Sequence, residues 1–306
     1  MATIYGQNFR ILEETANPNK YQCIGMATNC TITRQNDTDE SSTKDDTGKA
    51  SKPEVVSKSW SVQVESLNMA DVGAIMTKMK NGTKFKLLWD EVQTSDNQTP
   101  VSSSPVNIGT GEAYLTDATF QFDDRTNAAK SLQFTGNGAI GTSTTGFSYQ
   151  TVSAGSYTKG QFVRLFLSDN NSDAPTNVIT APKSLSLHVS VSLEQTTTKD
   201  TTGLWVVQEP TGISYDISTS ALLRSGETIT SEVAGFGISD LQAIYNDGTP
   251  VKWKIANVGG DNNRTASSTI VSGSCILTQL EISAQNRTAA KVNVNLNGYG
   301  DYTVGS

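Results

Sequence analysis

One histidine, three cysteines and few cations set the first limits on this 306-residue chain. A histidine-based catalytic triad has only His188 to draw on, and no histidine–cysteine cluster has zinc-ligand spacing. Cys23, Cys30 and Cys275 are odd in number and unequally shared between the two halves, which argues against a disulfide framework. No apolar run approaches membrane-spanning length, so no membrane association is expected. The opening Met1-Ala2-Thr3-Ile4-Tyr5-Gly6 has neither the basic nor the apolar region of a signal peptide. The expectation is a soluble chain made in a reducing cytosol. Lysine and arginine number 23 against 30 aspartates and glutamates, a net charge of −7. The deficit is even, −4 over residues 1–152 and −3 over 153–306. A surface that grips nucleic acid needs the opposite sign.

What the chain does have is a repeat. Gly6-Gln7-Asn8-Phe9-Arg10-Ile11-Leu12 returns as Gly160-Gln161-Phe162-Val163-Arg164-Leu165-Phe166. Thr43-Lys44-Asp45-Asp46-Thr47-Gly48 returns as Thr198-Lys199-Asp200-Thr201-Thr202-Gly203, and Ser59-Trp60-Ser61-Val62 as Ser214-Tyr215-Asp216-Ile217. Gly111–Thr116 matches Gly273–Thr278, and Ala128-Ala129-Lys130 matches Ala289-Ala290-Lys291. One such match is chance; five in the same order are not. A period of roughly 150 residues is far longer than a solenoid unit and is the size of a domain. Two tandem domains are expected, residues 1–152 and 153–306.

The local pattern is mainly β. Leu185–Leu193 alternates apolar and polar residues without a break, which predicts a strand with one buried and one wet face. Ser59–Glu65 does the same, with Trp60, Val62 and Val64 inward and Ser61, Gln63 and Glu65 outward. In the second half Tyr215 and Ile217 face in, and Asp216 and Ser218 face out. Further strands are predicted over Lys84–Trp89, Gly111–Phe122 and Ala129–Thr135, mirrored by Val251–Ile255, Gly273–Ile282 and Lys291–Leu296. Each half holds one helix, Met69–Lys80 behind an Asn68 N-cap and a shorter one near Asp240–Asn246. Short strands separated by Gly, Asn, Asp and Ser fit a β-sandwich or small barrel.

Between the first strands lies Gln35–Lys58, a long polar stretch read as a functional loop, with a shorter counterpart at Gln195–Gly212. The Thr-Lys-Asp element inside each makes Thr43, Lys44, Asp45, Asp46, Thr198, Lys199 and Asp200 candidate contact residues. Chemistry is harder to find. His188 sits among serines on a wet strand face, and Asp45-Asp46 and Asp123-Asp124 read as solvated turns. Gly136-Asn137-Gly138 and Gly298-Tyr299-Gly300 lack the Lys-Ser/Thr of a phosphate loop and read as strand-ending turns. No enzyme activity, cofactor or metal is expected.

The order of these elements resembles the major tail tube protein family of long-tailed bacteriophages. The carrying residues are Ala27-Thr28-Asn29-Cys30, Ser42-Thr43-Lys44-Asp45, Ser59-Trp60-Ser61-Val62, Asn81-Gly82-Thr83, Gly111–Thr116 and Phe134-Thr135-Gly136-Asn137-Gly138. The second half keeps Thr198-Lys199-Asp200, Ile213-Ser214-Tyr215, Asp247-Gly248-Thr249, Gly273 and Gly298-Tyr299-Gly300. The resemblance implies a β-sandwich-like domain with one helix and rings stacked into a hollow tube that passes duplex DNA. It also implies tape-measure and terminator proteins as partners, and a virion tail assembled in the bacterial cytoplasm. A duplicated subunit would form trimeric, pseudo-hexameric rings, with the polar loops as inter-ring contacts. Ser61, Gln63, Glu65, Ser186, Ser190, Asp216 and Ser218 are the lumen-facing candidates, and none of them is basic. The alternative is a tandem β-sandwich module that binds carbohydrate or a cell surface, with Tyr149, Tyr157 and Trp205 as its candidate exposed aromatics.

Overall fold

The computed structural model describes residues 5–41, 44–45, 52–93, 95–96, 98–101, 109–142, 146–152, 157–171, 173–198, 203–223, 235–259 and 265–305. The chain is mostly β. The first half runs β1 (Phe9–Glu14), β2 (Lys20–Cys23), β3 (Ala27–Glu40), β4 (Pro53–Ser66), α1 (Val72–Lys80), β5 (Phe85–Glu91), β6 (Gly109–Asp123), β7 (Ala129–Gly141) and β8 (Ser148–Gln150). The second runs β9 (Val163–Leu167), β10 (Asn177–Ile179), β11 (Pro182–Gln195), β12 (Gln208–Leu222), β13 (Gly235–Phe236), α2 (Ile238–Asp247), β14 (Val251–Val258), β15 (Ala266–Ser283) and β16 (Lys291–Val304).

The antiparallel pairings of the first half are β1 with β2 and β5, β5 with β6, β6 with β7, β7 with β4 and β4 with β3. In the second they are β9 with β10 and β14, then β14–β15, β15–β16, β16–β12 and β12–β11. Even the irregularities correspond. The β6–β7 ladder shifts register at Thr110/Glu112 and Leu115/Asp117, and the β15–β16 ladder at Ser272/Ser274 and Leu277/Gln279. Such bulges bend a strand and increase its twist, which lets β6 pair with β5 at one end and with β11 at the other. That last pairing joins both halves into one 16-stranded sheet.

The core lies on the apolar side of these strands and is continuous across the join, with Phe120 and Phe122 of β6 beside Leu185 and Leu187 of β11. The helix stripe Val72, Ile75, Met76 and Met79 is buried as its spacing predicts. The helix itself starts later than expected. Asn68 Oδ1 accepts the Ala70 N–H at 3.1 Å and closes a turn, and α1 begins only at Val72. Lys130 points into the core from β7, where its ammonium pairs with Asp71 at the head of α1.

Two expectations need correction. The polar stretch Gln35–Lys58 is not one long loop: β3 and β4 run on as a hairpin paired out to Glu40 and Pro53. Gln195–Gly212 likewise contains the ends of β11 and β12, paired out to Gln195 and Gln208. Nor do the Gly-x-Gly segments end strands; they lie inside β7 and β16. Their purpose is space. A Cβ on Gly136 would lie 2.2 Å from the Trp60 indole, and one on Gly298 would lie 2.6 Å from the Tyr215 ring. The bulky aromatic of β4 or β12 therefore packs flat over neighbouring backbone, with the Trp60 Nε1–H donating to Gly138 O at 3.0 Å and the Tyr215 hydroxyl to Ser274 O at 2.6 Å.

Candidate functional site

Alternation along each strand sends its polar residues to the side opposite the core, and the pairing aligns these residues across the join. In the order β3-β4-β7-β6-β11-β12-β16-β15, eight neighbouring strands present one polar face, four strands from each half. One row across it reads Thr31, Gln63, Gln133, Asp117, Ser190, Ser214. The next reads Asn29, Glu65, Ser131, Thr119, His188, Asp216, Asn297. A third joins Gln121, Ser186, Ser218, Asn295 and Gln279. Ser61 stands beside Thr33 and Thr135. All seven candidates, Ser61, Gln63, Glu65, Ser186, Ser190, Asp216 and Ser218, thus share one face. None of the face residues named here is lysine or arginine. Side chains bond along the rows, Ser190 to Ser214 at 2.8 Å and the Asn295 amide to Gln279 at 2.7 Å.

His188 is the exception to this uncharged or acidic surface. Its Nδ1 lies 2.8 Å from Asp216 Oδ1 and its Nε2 lies 2.6 Å from Asp117 Oδ2. A neutral imidazole has one N–H and would set its other nitrogen against a carboxylate lone pair; the imidazolium satisfies both. Partial burial favours the neutral ring, but the hydrogen bonds and charges of Asp117 and Asp216 outweigh it and raise the pKa above the ordinary histidine value. Sequence reasoning saw only an exposed strand histidine. Its partners come from β6 and β12, and no local signal could have found Asp117.

The join between β6 and β11 can be compared with the sheet's open edges. Strand β11 is paired on both sides, by β12 and β6, whereas among the described residues β3 is paired only by β4. Strand β6 meets β11 through Asp117–Asp123, whereas among the described residues the matching stretch Gln279–Ser283 of β15 is paired only by β16. Exposure follows. Phe120 on β6 is 0% exposed, and Ile282, its counterpart by register, is 46% exposed. Leu187 on β11 is buried, and its counterpart Ile32 on β3 is half-buried.

Of the loop candidates, Lys44, Asp45 and Thr198 are exposed, while Thr43, Asp46, Lys199 and Asp200 lie outside the described residues. The β11–β12 connection packs on the first half: Lys58 N–H donates to Leu204 O at 2.7 Å, Val206 N–H to Lys58 O at 3.0 Å and Gly138 N–H to Val206 O at 2.8 Å. Tyr157 is exposed, but Tyr149 and Trp205 are half-buried, so these three do not make an aromatic cluster. Burial pushes the thiols of Cys23 and Cys275 up to about 12, well away from nucleophilic thiolates. Among the described residues no group of histidine, cysteine or carboxylate side chains is placed to hold a metal.

No protein-family model and no curated protein matches the chain. Among the solved structures that match, three align with about half of it. The virion of a native gene transfer agent particle does so at 13% identity and a TM-score of 0.38, over 49% of this chain and 99% of that one. The tail of an empty gene transfer agent particle, refined with C6 symmetry, aligns at 15% identity and 0.35, over 48% and 96%. The SPP1 tail tube aligns at 15% and 0.33, over 48% and 78%.

Proposed function

We propose that the chain is a structural subunit of a viral tail tube, made of two copies of one module, residues 1–152 and 153–306, that closes head to tail into rings. The observation that carries this reading is the mismatch between the internal join and the open edges. The β15 edge repeats the strand that the join covers, and the β3 edge repeats the strand that covers it. Pairing β15 of one copy with β3 of the next reproduces the β6–β11 ladder between chains and buries Ile282 as Phe120 is buried. Such unlike-edge contacts close into a ring when the rotation per copy divides a full turn. With eight strands per copy, three copies supply a barrel of about 24 strands. At roughly 4.8 Å per strand with modest tilt, that is a circumference of about 115–130 Å and a diameter of about 40 Å, wide enough for duplex DNA.

The polar face then lines the bore. Its hydroxyls, amides and carboxylates give a passing polyanion no lysine or arginine to bind, and the one histidine is already held between two aspartates. The molecule works by shape and self-association, with DNA as cargo, tape-measure and terminator proteins as tail partners, and the virion tail, built in the bacterial cytoplasm, as its location. The hairpin tips around Lys44, Asp45 and Thr198 are assigned to contacts between rings. Negative-stain microscopy of the purified protein tests this directly. Hollow rings or tubes about three chains around are expected; isolated monomers at every salt and protein concentration refute it.

A further inference from the structure

The Gly-Gln motif that opens both halves is not explained by the polar face. Its two occurrences fold alike. Asn8 N–H donates to Tyr5 O at 2.9 Å, and Phe162 N–H donates to Lys159 O at 3.0 Å, each closing a short 3-10 turn ahead of β1 or β9. The second turn is occupied. It packs on the connection between β6 and β7, where Gly160 N–H donates to Thr126 O at 2.9 Å and Ala128 N–H donates to Thr158 O at 2.8 Å. Asn127 and Lys159 form a β-bridge there. The fit leaves no room for a side chain, since a Cβ on Gly160 would lie 2.3 Å from the carbonyl oxygen of Asp123.

The β6–β7 connection has a twin between β15 and β16. Arg125 and Arg287 hold φ of 62° and 63°. Thr126 N–H and hydroxyl approach Asp123 O at 3.5 and 3.3 Å, and those of Thr288 approach Gln285 O at 3.2 and 3.1 Å. In the first connection Ala128 is at 0% exposure and Asp123 and Asp124 are half-buried, while Arg125–Asn127 stay exposed; in the second, Gln285–Ala289 is exposed throughout and Ala290 is half-buried. Gly6, the counterpart of Gly160, has no atom of the described residues within 4 Å of where a Cβ would stand. The chain therefore holds two matching turn-and-seat pairs, one joined internally and one open at both parts.

We propose that the Tyr5–Asn8 turn of one copy seats on the Gln285–Ala290 turn of the copy whose β15 pairs with its β3, with the Gly6 N–H donating to Thr288 O of that neighbour. This rests on the head-to-tail ring described above and assigns it a second contact away from the strand ladder. Gly6 is then required for assembly and not for folding. Its backbone lies outside the left-handed region, so alanine is conformationally acceptable in the free chain.

The test compares Gly6→Ala with Gly160→Ala for thermal melting and for assembly by sedimentation and microscopy. The Gly6 variant is expected to melt with the wild type yet need at least a tenfold higher concentration to assemble, while Gly160→Ala melts lower. Gly6→Ala assembling at the wild-type concentration overturns the seat and leaves the ring intact. A wild-type chain that never assembles removes both. An independent arm pairs Tyr5→Cys with Ala289→Cys, the positions matching the Lys159–Asn127 bridge, whose spacing admits a disulfide. Oxidation is expected to give covalent dimers and trimers on a denaturing gel with the double variant and not with either single one. A double variant that assembles and stays uncrosslinked also refutes the seat.

Discussion

Ile282→Ser gives the sharpest test of the open-edge reading. Ile282 is 46% exposed, so about half its surface is still available for burial in a joint. Fully burying an isoleucine contributes about 1.5–3 kcal/mol, and half of that is about 1 kcal/mol per joint. One kilocalorie weakens a joint roughly 5-fold, and three joints compound to roughly 100-fold for closing a ring. The free chain loses little, because that surface already faces water. The matched control is Phe120→Ala, which removes the same position from the internal join at a cost of about 3–5 kcal/mol in folding stability. Thermal melting separates the effects on folding, and sedimentation velocity across a concentration series reads assembly. Ile282→Ser is expected to melt with the wild type and assemble only at much higher concentration. If it assembles normally, or loses as much stability as Phe120→Ala, β15 is not the joint.

The raised pKa of His188 has a definite sign. The stabilisation is complete below the ordinary histidine pKa of about 6.5 and is lost as pH rises through the higher folded value. Melting temperature should therefore fall as pH rises from about 6.5 through the higher folded value in the wild type and stay flatter in His188→Gln; a parallel pH profile for the two would refute the paired imidazolium. Gly136→Ala should destabilise the chain by about 1–3 kcal/mol through its clash with Trp60, measured by urea denaturation. Gly138→Ala is a different case, because nothing stands within 4 Å of its Cβ position but its φ is 82°, so any loss there comes from the backbone alone.

Much of the fold was legible because its signals are local. Alternation over Leu185–Leu193 and Ser59–Glu65 is a property of neighbouring residues, and it sorted the polar face from the core correctly. Where a strand is wet on both sides, that signal vanishes. Asn36–Glu40 and Pro53–Glu54 are exposed throughout, so their pairing leaves no apolar mark and the arm looked like a loop. The glycines misled for a related reason: Gly136 and Gly298 serve an aromatic ring on the neighbouring strand, and composition alone favours a turn. The His188 cluster and the internal join depend on which strands meet, β6 with β11 and β11 with β12: His188 lies 71 positions from Asp117 and 28 from Asp216.

The two hairpin arms reach equally far among the described residues. Each is paired out to corresponding positions, Glu40 with Pro53 and Gln195 with Gln208, and each leaves its inner neighbour at corresponding residues, Ser61 and Asp216. The connection after β11 is clasped by the first half, at Lys58 and Gly138. In a ring that repeats the internal join, the β3–β4 arm of each copy would be clasped in the same way by the second half of its neighbour. All six arms would then lie alike, and the sixfold look of the bore would carry through to the faces on which rings stack.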